Sequence, residues 1–260
     1  GVTAAPACAT SAYSHGYRKM PTVPNRTTLA IATAVSRDDA FTAGATASTA
    51  AAAREKGIEI VEDFFGVELA EKLVAEGWRA DLMAANNVLA HVPDINDFVS
   101  GFATMLAPEG VATFEFPHLL NMVIERQFDT AYHEHYSYLS LTAVRAIFAA
   151  NGLVVFDVAT TPWHGGSLRV FAARADAQTR PVQASVDSMI ATEEKAGIRT
   201  QSFYTEFQRE AGKVRDDFVS YLIECHRQGL KVAAYGAAAK GNTLLNFAGI
   251  KPDLMAFVVD

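Results

Sequence analysis

Two strand-like segments joined by a very short link constrain the fold of this 260-residue chain more than any other feature. The first, LVVFDVATTP, begins at Leu153, and the second, SLRVFAARA, begins at Ser167, with only WHGG between them. Parallel strands need a crossover of a dozen or more residues, so this link permits only an antiparallel hairpin. The sheet that contains these segments is therefore predicted to finish in an antiparallel pair.

The segments before the hairpin alternate between strand and helix patterns. Three short apolar runs predict strands: IEIVEDFF (58–65, expected to be buried), ADLMAANNVL (80–89) and VATFEF (111–116). Three segments with helical spacing predict helices: VELAEKLVAEG (67–77), INDFVSGFATMLA (95–107) and TAVRAIFAANG (142–152). This alternation predicts a parallel sheet with helices on both faces. An α/β sheet of this kind that ends in an antiparallel hairpin is typical of class I methyltransferases, although several other α/β sheets share it.

The rest of the chain divides by composition and periodicity. Residues 1–50 are rich in Ala, Thr, Ser and Pro and lack a persistent period, which predicts an irregular or aberrant segment. Residues 51–178 are predicted to form a partial methyltransferase domain, and residues 179–228 a helical connection whose apolar stripe from Phe203 to Leu222 serves for packing. Residues 229–260 then predict a strand, a Gly-rich loop, a helix and a strand, which is the start of a Rossmann-like unit that stops early.

Charge and cysteine content exclude several functional classes. The net charge of −7 disfavours nucleic acid as the main partner, because phosphate binding needs clustered Lys and Arg. Cys8 and Cys225 are too few for a disulfide framework or a thiolate zinc site, which favours a cytoplasmic setting and predicts no zinc. No apolar run approaches the ~18 residues of a membrane helix, so no membrane partner is expected. The run from Leu29 to Val35 is too short for a signal segment.

The segment AYHEHYSY (131–138) concentrates side chains that can move protons. A neutral imidazole has a pKa near about 6.5 and can act as a base near neutral pH, and a neighbouring carboxylate can orient it. In an extended backbone alternate side chains would face opposite sides, so a bend or bulge is expected here. Metal binding is the weaker alternative, because HEH lacks the i, i+4 spacing of zinc-binding helices and no thiolate lies nearby.

Several motifs, in this order, resemble those of one enzyme family, the S-adenosylmethionine-dependent C-methyltransferases of nucleotide-linked deoxysugars. They are VEDFFG, NNVLAHVPDINDF, FEFPHLL, FDTAYHEHYSYLSL, GLVVFDV, HGGSLRV and YGAAAKGNTLLNF, and they span roughly residues 51–260. The resemblance implies an N-terminal zinc-binding module, unrecognisable here, a central methyl-donor domain and a C-terminal Rossmann-like domain. It also implies methyl transfer from S-adenosylmethionine to a sugar carbon next to a ketone, with a nucleotide sugar as the substrate.

The resemblance also implies roles for individual residues. It identifies His135 as the general base, and Glu134 and Tyr132 as the groups that contact the sugar's hydroxyl or amine and the developing oxyanion. His91 follows a strand end, where open α/β sheets bind ligands, and is expected near the transferred methyl group. His133 is expected to be a neighbour without a catalytic role.

Two further sets of candidate residues concern binding. The expected donor contacts, of which the first two resemble the family's adenine contacts, are Asp63, Phe64, Asn87 and Leu89. The expected substrate contacts are His118, His133, His164, Ser167, Arg169 and Lys240. An arginine on the hairpin can bind a sugar diphosphate bidentately, and a lysine at a helix start can meet a phosphate.

The departures from the family pattern leave alternatives open. A class I methyltransferase needs a Gly-rich turn after its first strand, because glycine lets the backbone approach the donor closely. Neither that turn nor the acid expected to bind the ribose hydroxyls is found before Ala51. The alternative is therefore a non-catalytic remnant that binds a nucleotide sugar. A hydride-transferring dehydrogenase is a third and weaker possibility, because no dinucleotide fingerprint is present.

Overall fold

A four-stranded mixed sheet forms the centre of this computed structural model, which describes residues 61, 63–177, 180–236 and 238–259. Its strands are β1 (Ala80–Asn86), β2 (Leu106–Pro117), β3 (Leu153–Thr161) and β4 (Ser167–Arg174). Their spatial order is β1-β2-β4-β3, in which β1 and β2 are parallel and β4 runs antiparallel to both of its neighbours. The predicted hairpin is thus confirmed, and β4 inserts between β2 and β3.

Helices pack around this sheet and continue beyond it. They are α1 (Val67–Ala75), α2 (Ile95–Met105), α3 (Leu119–Ile124), α4 (Leu141–Ala150), α5 (Ala184–Ala196), α6 (Gln201–Thr205), α7 (Phe207–Arg227) and α8 (Ala239–Phe247). Side chains define where two of them begin: Asp94 accepts from two backbone N–H groups of α2, and Ser140 accepts from one of α4. Across the described ranges, no helix combines the length and apolar character of a membrane-spanning segment.

The strand predicted over residues 58–65 is wrong where it can be compared. Residues 61 and 63–66 are irregular, and the Phe64 side chain is 57% exposed instead of buried. The remaining residues of that prediction lie outside the described part of the chain. Within the described residues β1 pairs with β2 on one side only, and residues 61 and 63–65 do not join its other edge.

A cluster of phenylalanine side chains fixes the sheet against its helices. Its members, whose ring centroids lie 4.6 to 5.8 Å apart in successive pairs, are Phe65, Phe98, Phe102, Phe114 and Phe148. These rings bridge α2 and α4 to β2, and burial of each such side chain contributes roughly 1.5–3 kcal/mol. The carboxyl ends of β1 and β2 are therefore held by a densely packed interior.

The C-terminal part repeats the strand, helix and strand order that the sequence predicts. Strands β5 (Ala233–Tyr235) and β6 (Phe257–Val259) are parallel, and α8 lies between them in the chain. Phe247 joins α8 to the larger sheet unit, since its ring lies 5.1 Å from that of Phe128. The packing stripe predicted along α7 is wrong at Val214 and Tyr221, which are 37% and 66% exposed, whereas Leu222 is buried.

Candidate functional site

The candidate site begins at the carboxyl end of β1. Asn87 follows the strand in the left-handed region, with φ 56°, a conformation that asparagine tolerates better than most residues. Its backbone N–H donates to the carbonyl of Glu115 at 2.7 Å, which fixes the turn against β2. The chain then enters a short 3-10 turn, Leu89–His91, which ends at the largely buried His91.

Residues 131–140, which we call the histidine segment, are hydrogen-bonded to this turn. The backbone N–H groups of Tyr136 and Ser137 both donate to the carbonyl of Ala90, at 2.8 and 3.2 Å. Within the segment, the N–H of His135 donates to the carbonyl of Tyr132 at 3.0 Å, which closes a turn over residues 132–135. The bend expected from the sequence is confirmed, and it orients the two histidines differently: His133 is exposed and His135 is half-buried.

His135 is held through one ring nitrogen and leaves the other available. Its Nδ1 lies 2.8 Å from the carbonyl oxygen of Thr130. A carbonyl oxygen can only accept, so Nδ1 carries the proton of the neutral ring and Nε2 carries the lone pair. Burial lowers the pKa of His135, and repulsion from His91 and Lys240 adds to this, although the Thr130 carbonyl and Glu134 oppose it. The imidazole is therefore in its basic form near neutral pH.

His91 contacts the ring of His135 directly. Their ring centroids lie 4.6 Å apart with an interplanar angle of 68°. Burial lowers the pKa of His91, while the backbone and the charge of Glu134 act in the opposite direction. Either of these two neutral imidazoles can accept a proton. The nearby carboxylate of Glu134 then stabilises the positive charge that forms.

A phenol also packs against the ring of His135. The Tyr132 ring lies 4.3 Å from that of His135 at an interplanar angle of 32°, and the Tyr138 ring lies 6.0 Å away. Burial, followed by the negative charge of Glu134, raises the pKa of Tyr132. Tyr132 therefore keeps its proton and can donate a hydrogen bond to a developing negative charge.

The turn between β3 and β4 brings two more predicted residues to this edge of the sheet. His164 adopts φ 55°, and its Nε2 lies 3.4 Å from Nδ2 of Asn87. Its carbonyl accepts from Nζ of Lys240, near the start of α8, at 3.4 Å. The structure therefore brings Asn87, His164 and Lys240 together, although they come from three separate parts of the chain.

The two glycines of this turn are needed for its close approach to neighbouring side chains. Gly165 and Gly166 have φ 83° and 100°, and a Cβ at either position would collide with Gln127 or Asn121. Gln127 Nε2 donates to the carbonyl of Gly165 at 2.7 Å, and Asn121 Nδ2 donates to that of Gly166 at 3.2 Å. These bonds fix the turn that carries His164.

Three further predicted substrate contacts also have partners within the protein. His118 is 2% exposed, and its Nε2 lies 2.7 Å from Oε1 of Glu193. Ser167 is 1% exposed, and its hydroxyl donates to the carbonyl of Trp163. Arg169 donates through Nε and Nη2 to one carboxylate oxygen of Glu115, at 2.9 and 2.6 Å. Within the described residues these side chains bond to the interior and the hairpin, and their assignment to the substrate stays a prediction.

The predicted donor contacts differ in how far they are exposed. Phe64 is exposed, and one carboxylate oxygen of the adjacent Asp63 accepts from the Phe64 N–H at 2.8 Å. Leu89 is fully buried and its side chain packs in the hydrophobic core, and its assignment to the donor stays a prediction. Apolar side chains in short turns are often covered in this way, since burial of a leucine is favourable by about 1.5–3 kcal/mol.

Sequence reasoning missed the residues that hold the site together. Thr130 acts through its backbone carbonyl, which no side-chain pattern can reveal. Glu193 and Gln127 act across large separations in the chain, 75 residues in the case of Glu193 and His118. In the parts of the chain that the structure describes, no three His, Cys, Asp or Glu side chains come together as a metal-binding group.

Comparison with known proteins identifies two matching family models. Residues 17–158 match the family described as "Methyltransferase domain". Residues 162–260 match the family described as "C-methyltransferase C-terminal domain". The first match begins within residues 1–50, and together the two matches include the histidine segment, the hairpin and α8.

A curated relative and two solved structures are similar to parts of the chain. The C-methyltransferase NovU of Streptomyces niveus is 36% identical over 213 residues, which are 81% of this chain and 50% of that protein. Magnesium protoporphyrin IX methyltransferase of Synechocystis PCC 6803 with bound SAH is 18% identical over 38% of this chain and 46% of its own, with a TM-score of 0.30. CalO1, a methyltransferase in calicheamicin biosynthesis, is 14% identical over 37% and 31%, with a TM-score of 0.31. Because both scores are low, the fold assignment depends on the family models and the strand order.

Proposed function

This chain belongs to the methyltransferase-domain family and carries the C-terminal domain of C-methyltransferases, and on that premise we propose a specific reaction for it. The reaction is transfer of a methyl group from S-adenosylmethionine to the carbon next to a ketone in a nucleotide-linked deoxysugar. One observation carries this proposal: His135 is held by Nδ1 while Nε2 keeps a lone pair beside a phenol donor. The low cysteine content fits a cytoplasmic setting for such an enzyme.

Asp63, Phe64 and Asn87 carry groups that fit the adenosyl part of the donor. An exposed aromatic ring at Phe64 can stack on adenine, and the Asp63 carboxylate can accept from an exocyclic amine. The side-chain amide of Asn87 lies at the same edge as His164. When bound, S-adenosylmethionine supplies an electrophilic methyl group.

Proton removal falls to His135 in this proposal. Its Nε2 accepts the proton from the sugar carbon next to the ketone, while Nδ1 remains bonded to the Thr130 carbonyl. The nearby negative charge of Glu134 favours the imidazolium that forms, as its effect on the pKa of His135 indicates. Burial keeps the resting ring neutral, so the base is ready near neutral pH without prior loss of a proton.

The oxygen of the sugar ketone needs a hydrogen-bond donor as negative charge develops on it. Tyr132 can serve because its raised pKa keeps the phenol protonated and its ring lies against that of the base. His91, in contact with His135 on another side, is the second group that can share the proton. Removal of the sugar proton and stabilisation of the ketone oxygen thus occur at adjoining side chains of one fixed turn.

The nucleotide part of the substrate is proposed to lie along the hairpin turn. Lys240 and His164 come from the C-terminal unit and the hairpin respectively, and they meet at this edge. A lysine ammonium in this position can bind a phosphate, and the exposed His133 stays a predicted substrate contact on the outer side of the histidine segment.

A labelled-donor experiment tests the proposed reaction. The chain is incubated with nucleotide-linked ketodeoxysugars and S-adenosylmethionine that carries a trideuterated methyl group, and the sugar is analysed by mass spectrometry. The proposal expects the label on the sugar carbon next to the ketone. Absence of label from every ketosugar that binds in calorimetry would refute it.

A second candidate function is a non-catalytic protein that binds a nucleotide sugar. It is favoured by the lack of a Gly-rich turn and a ribose-binding acid before Ala51 in the sequence. Each missing charged hydrogen bond is worth about 1.5–3 kcal/mol, so donor affinity is expected to fall on the order of a hundredfold or more below that of a relative with both features. Calorimetry with S-adenosylmethionine decides the matter, and a micromolar or tighter Kd would exclude this candidate.

A further inference from the structure

A fully buried carboxylate lies beneath the histidine segment and has no part in the proposed reaction. Glu193, on α5, is 0% exposed and accepts four hydrogen bonds. One oxygen accepts from Nε2 of His118 at 2.7 Å and from the N–H of Leu141 at 2.6 Å. The other accepts from the N–H and the hydroxyl of Thr142, at 2.8 and 2.6 Å. A charge in a dry interior is tolerated only when it is satisfied this completely.

These four bonds attach α5 to both ends of the region that carries His135. Leu141 and Thr142 form the first turn of α4, immediately after the histidine segment, so Glu193 satisfies N–H groups that the helix itself cannot. His118 stands at the start of α3, where its neighbour Leu119 donates to the carbonyl of Leu139 at 2.9 Å. Glu193 therefore fixes where the segment ends and what that end packs against.

The same network extends to the hairpin turn. The backbone N–H of His118 donates to the carbonyl of Gly166 at 3.2 Å, next to the turn that presents His164. Burial alone would raise the pKa of Glu193, but the bonds from His118, Thr142 and Leu141 together lower it. Glu193 is thus a carboxylate whose bonds reach both the histidine segment and the hairpin turn.

We infer that Glu193 is a positioning residue for the proposed reaction: its four hydrogen bonds hold the histidine segment so that His135 keeps its bond to Thr130. The inference rests on the proposed function for its catalytic meaning, but its geometric content stands apart from any substrate. If the bonds of Glu193 were purely structural, their loss would lower stability and leave the state of the His135 ring unchanged.

The test uses the full chain with Glu193→Gln, which preserves shape but replaces one accepting oxygen with an NH₂ group that faces backbone N–H donors. Asp157→Asn is the matched control, because the carboxylate of Asp157 accepts from the hydroxyl of Ser185 and also tethers α5 to the sheet. ¹⁵N-histidine NMR reports the tautomer and pKa of each of the seven imidazoles, and His135→Asn identifies the His135 signals.

In Glu193→Gln, the Nδ1-protonated signature of His135 is expected to weaken and its pKa to fall further below the ordinary value of about 6.5, because the bond to the Thr130 carbonyl is one of the interactions that raise it. In Asp157→Asn, both are expected to match the parent. Thr142→Val, which removes only the hydroxyl bond, should change them in the same direction by less, and it serves if Glu193→Gln does not fold. An unchanged tautomer and pKa of His135 in a folded Glu193→Gln or Thr142→Val variant would overturn the inference.

A second readout separates this inference from the proposed function. Exchange of the sugar α-proton with D₂O should slow on the order of tenfold to a hundredfold in Glu193→Gln, because small displacements of a catalytic group have large effects on rate. If the parent shows no exchange, the proposed function fails, while the NMR result still decides the role of Glu193. If the parent exchanges and Glu193→Gln exchanges equally fast, the positioning role fails alone.

Discussion

His135 in the histidine segment and His118 in the protein interior differ in the hydrogen-bond partner of the ring and in its exposure. His135 is bonded through one nitrogen to a backbone carbonyl and presents the other beside Tyr132. His118 is bonded to a buried carboxylate and is only 2% exposed. The first ring has a free lone pair at a half-exposed edge, whereas the second is enclosed with its partner.

The difference shows that the hydrogen-bond partner of a histidine determines whether its ring is available as a base. A backbone carbonyl fixes the tautomer of His135 without supplying a full charge, so the ring stays neutral and able to accept a proton. A carboxylate in a dry interior takes part in the bond as a charge, so loss of either partner leaves a buried group unsatisfied. Loss of the first histidine is therefore expected to act on function directly, and loss of the second mainly on stability.

The largest expected effect concerns the two histidines of YHEH. Given a bound donor, His135→Asn should lower the rate of methyl transfer by about 10²–10⁴, because loss of a general base acts on the transition state. His133→Asn should have a much smaller effect, since His133 is exposed on the outer side of the turn. Turnover assays on both variants measure this, and a larger loss of rate in His133→Asn than in His135→Asn would contradict the prediction.

The next effect should appear mainly in stability. His118→Leu removes the ring that donates to Glu193 and is expected to lower the free energy of unfolding by about 3 kcal/mol. Exposed His133→Asn should change it by less than about 0.5 kcal/mol. Urea unfolding of both variants measures this, and equal stabilities would mean that the buried pair contributes little.

Much of the fold was predictable because it depends on patterns within short segments. The antiparallel hairpin followed from the four-residue WHGG link, and the helices from apolar spacing. The strand expected near Phe64 failed, because local sequence does not specify whether a segment pairs with a neighbouring strand. Tyr221 failed for a related reason: the helix pattern is visible, but whether a face is covered depends on distant elements.

The candidate site was predictable in its residue types but not in its contacts. The bend in AYHEHYSY followed from the alternation of side chains along an extended chain, and it is confirmed. The partners of Arg169 and His118 were not visible, because Glu115 and Glu193 lie 54 and 75 residues away from them. The role of Thr130 rests on a backbone carbonyl, which every residue possesses.

The smallest expected effect is a pH dependence that distinguishes the two environments. The folded pKa values of His91 and His135 are lowered, so the unfolded chain binds more protons between those values and about 6.5. The free energy of unfolding should therefore rise with pH across that window and level off above it. Glu193, whose folded pKa is lowered from 4.5, should contribute stability that is lost only as pH falls below that value.

Urea unfolding of the parent and His135→Asn over a series of pH values measures these contributions. The variant should show a shallower slope below about pH 6.5, with a change of at most about 1.4 kcal/mol per pH unit. The acid limb that belongs to Glu193 should be unchanged. Identical slopes in parent and variant would show that the His135 ring has the same proton affinity in the folded and unfolded chain.

Exchange of the sugar α-proton with solvent tests the central claim, that His135 is the base, more directly than any assay of methyl transfer. The parent chain is incubated with a nucleotide-linked ketodeoxysugar in D₂O without S-adenosylmethionine, and deuterium is located by NMR and mass spectrometry. The account predicts deuterium on the carbon next to the ketone with the parent and with His133→Asn, and none above background with His135→Asn. Exchange by His135→Asn at the parental rate would contradict it and direct attention to His91 or Tyr132 as the base.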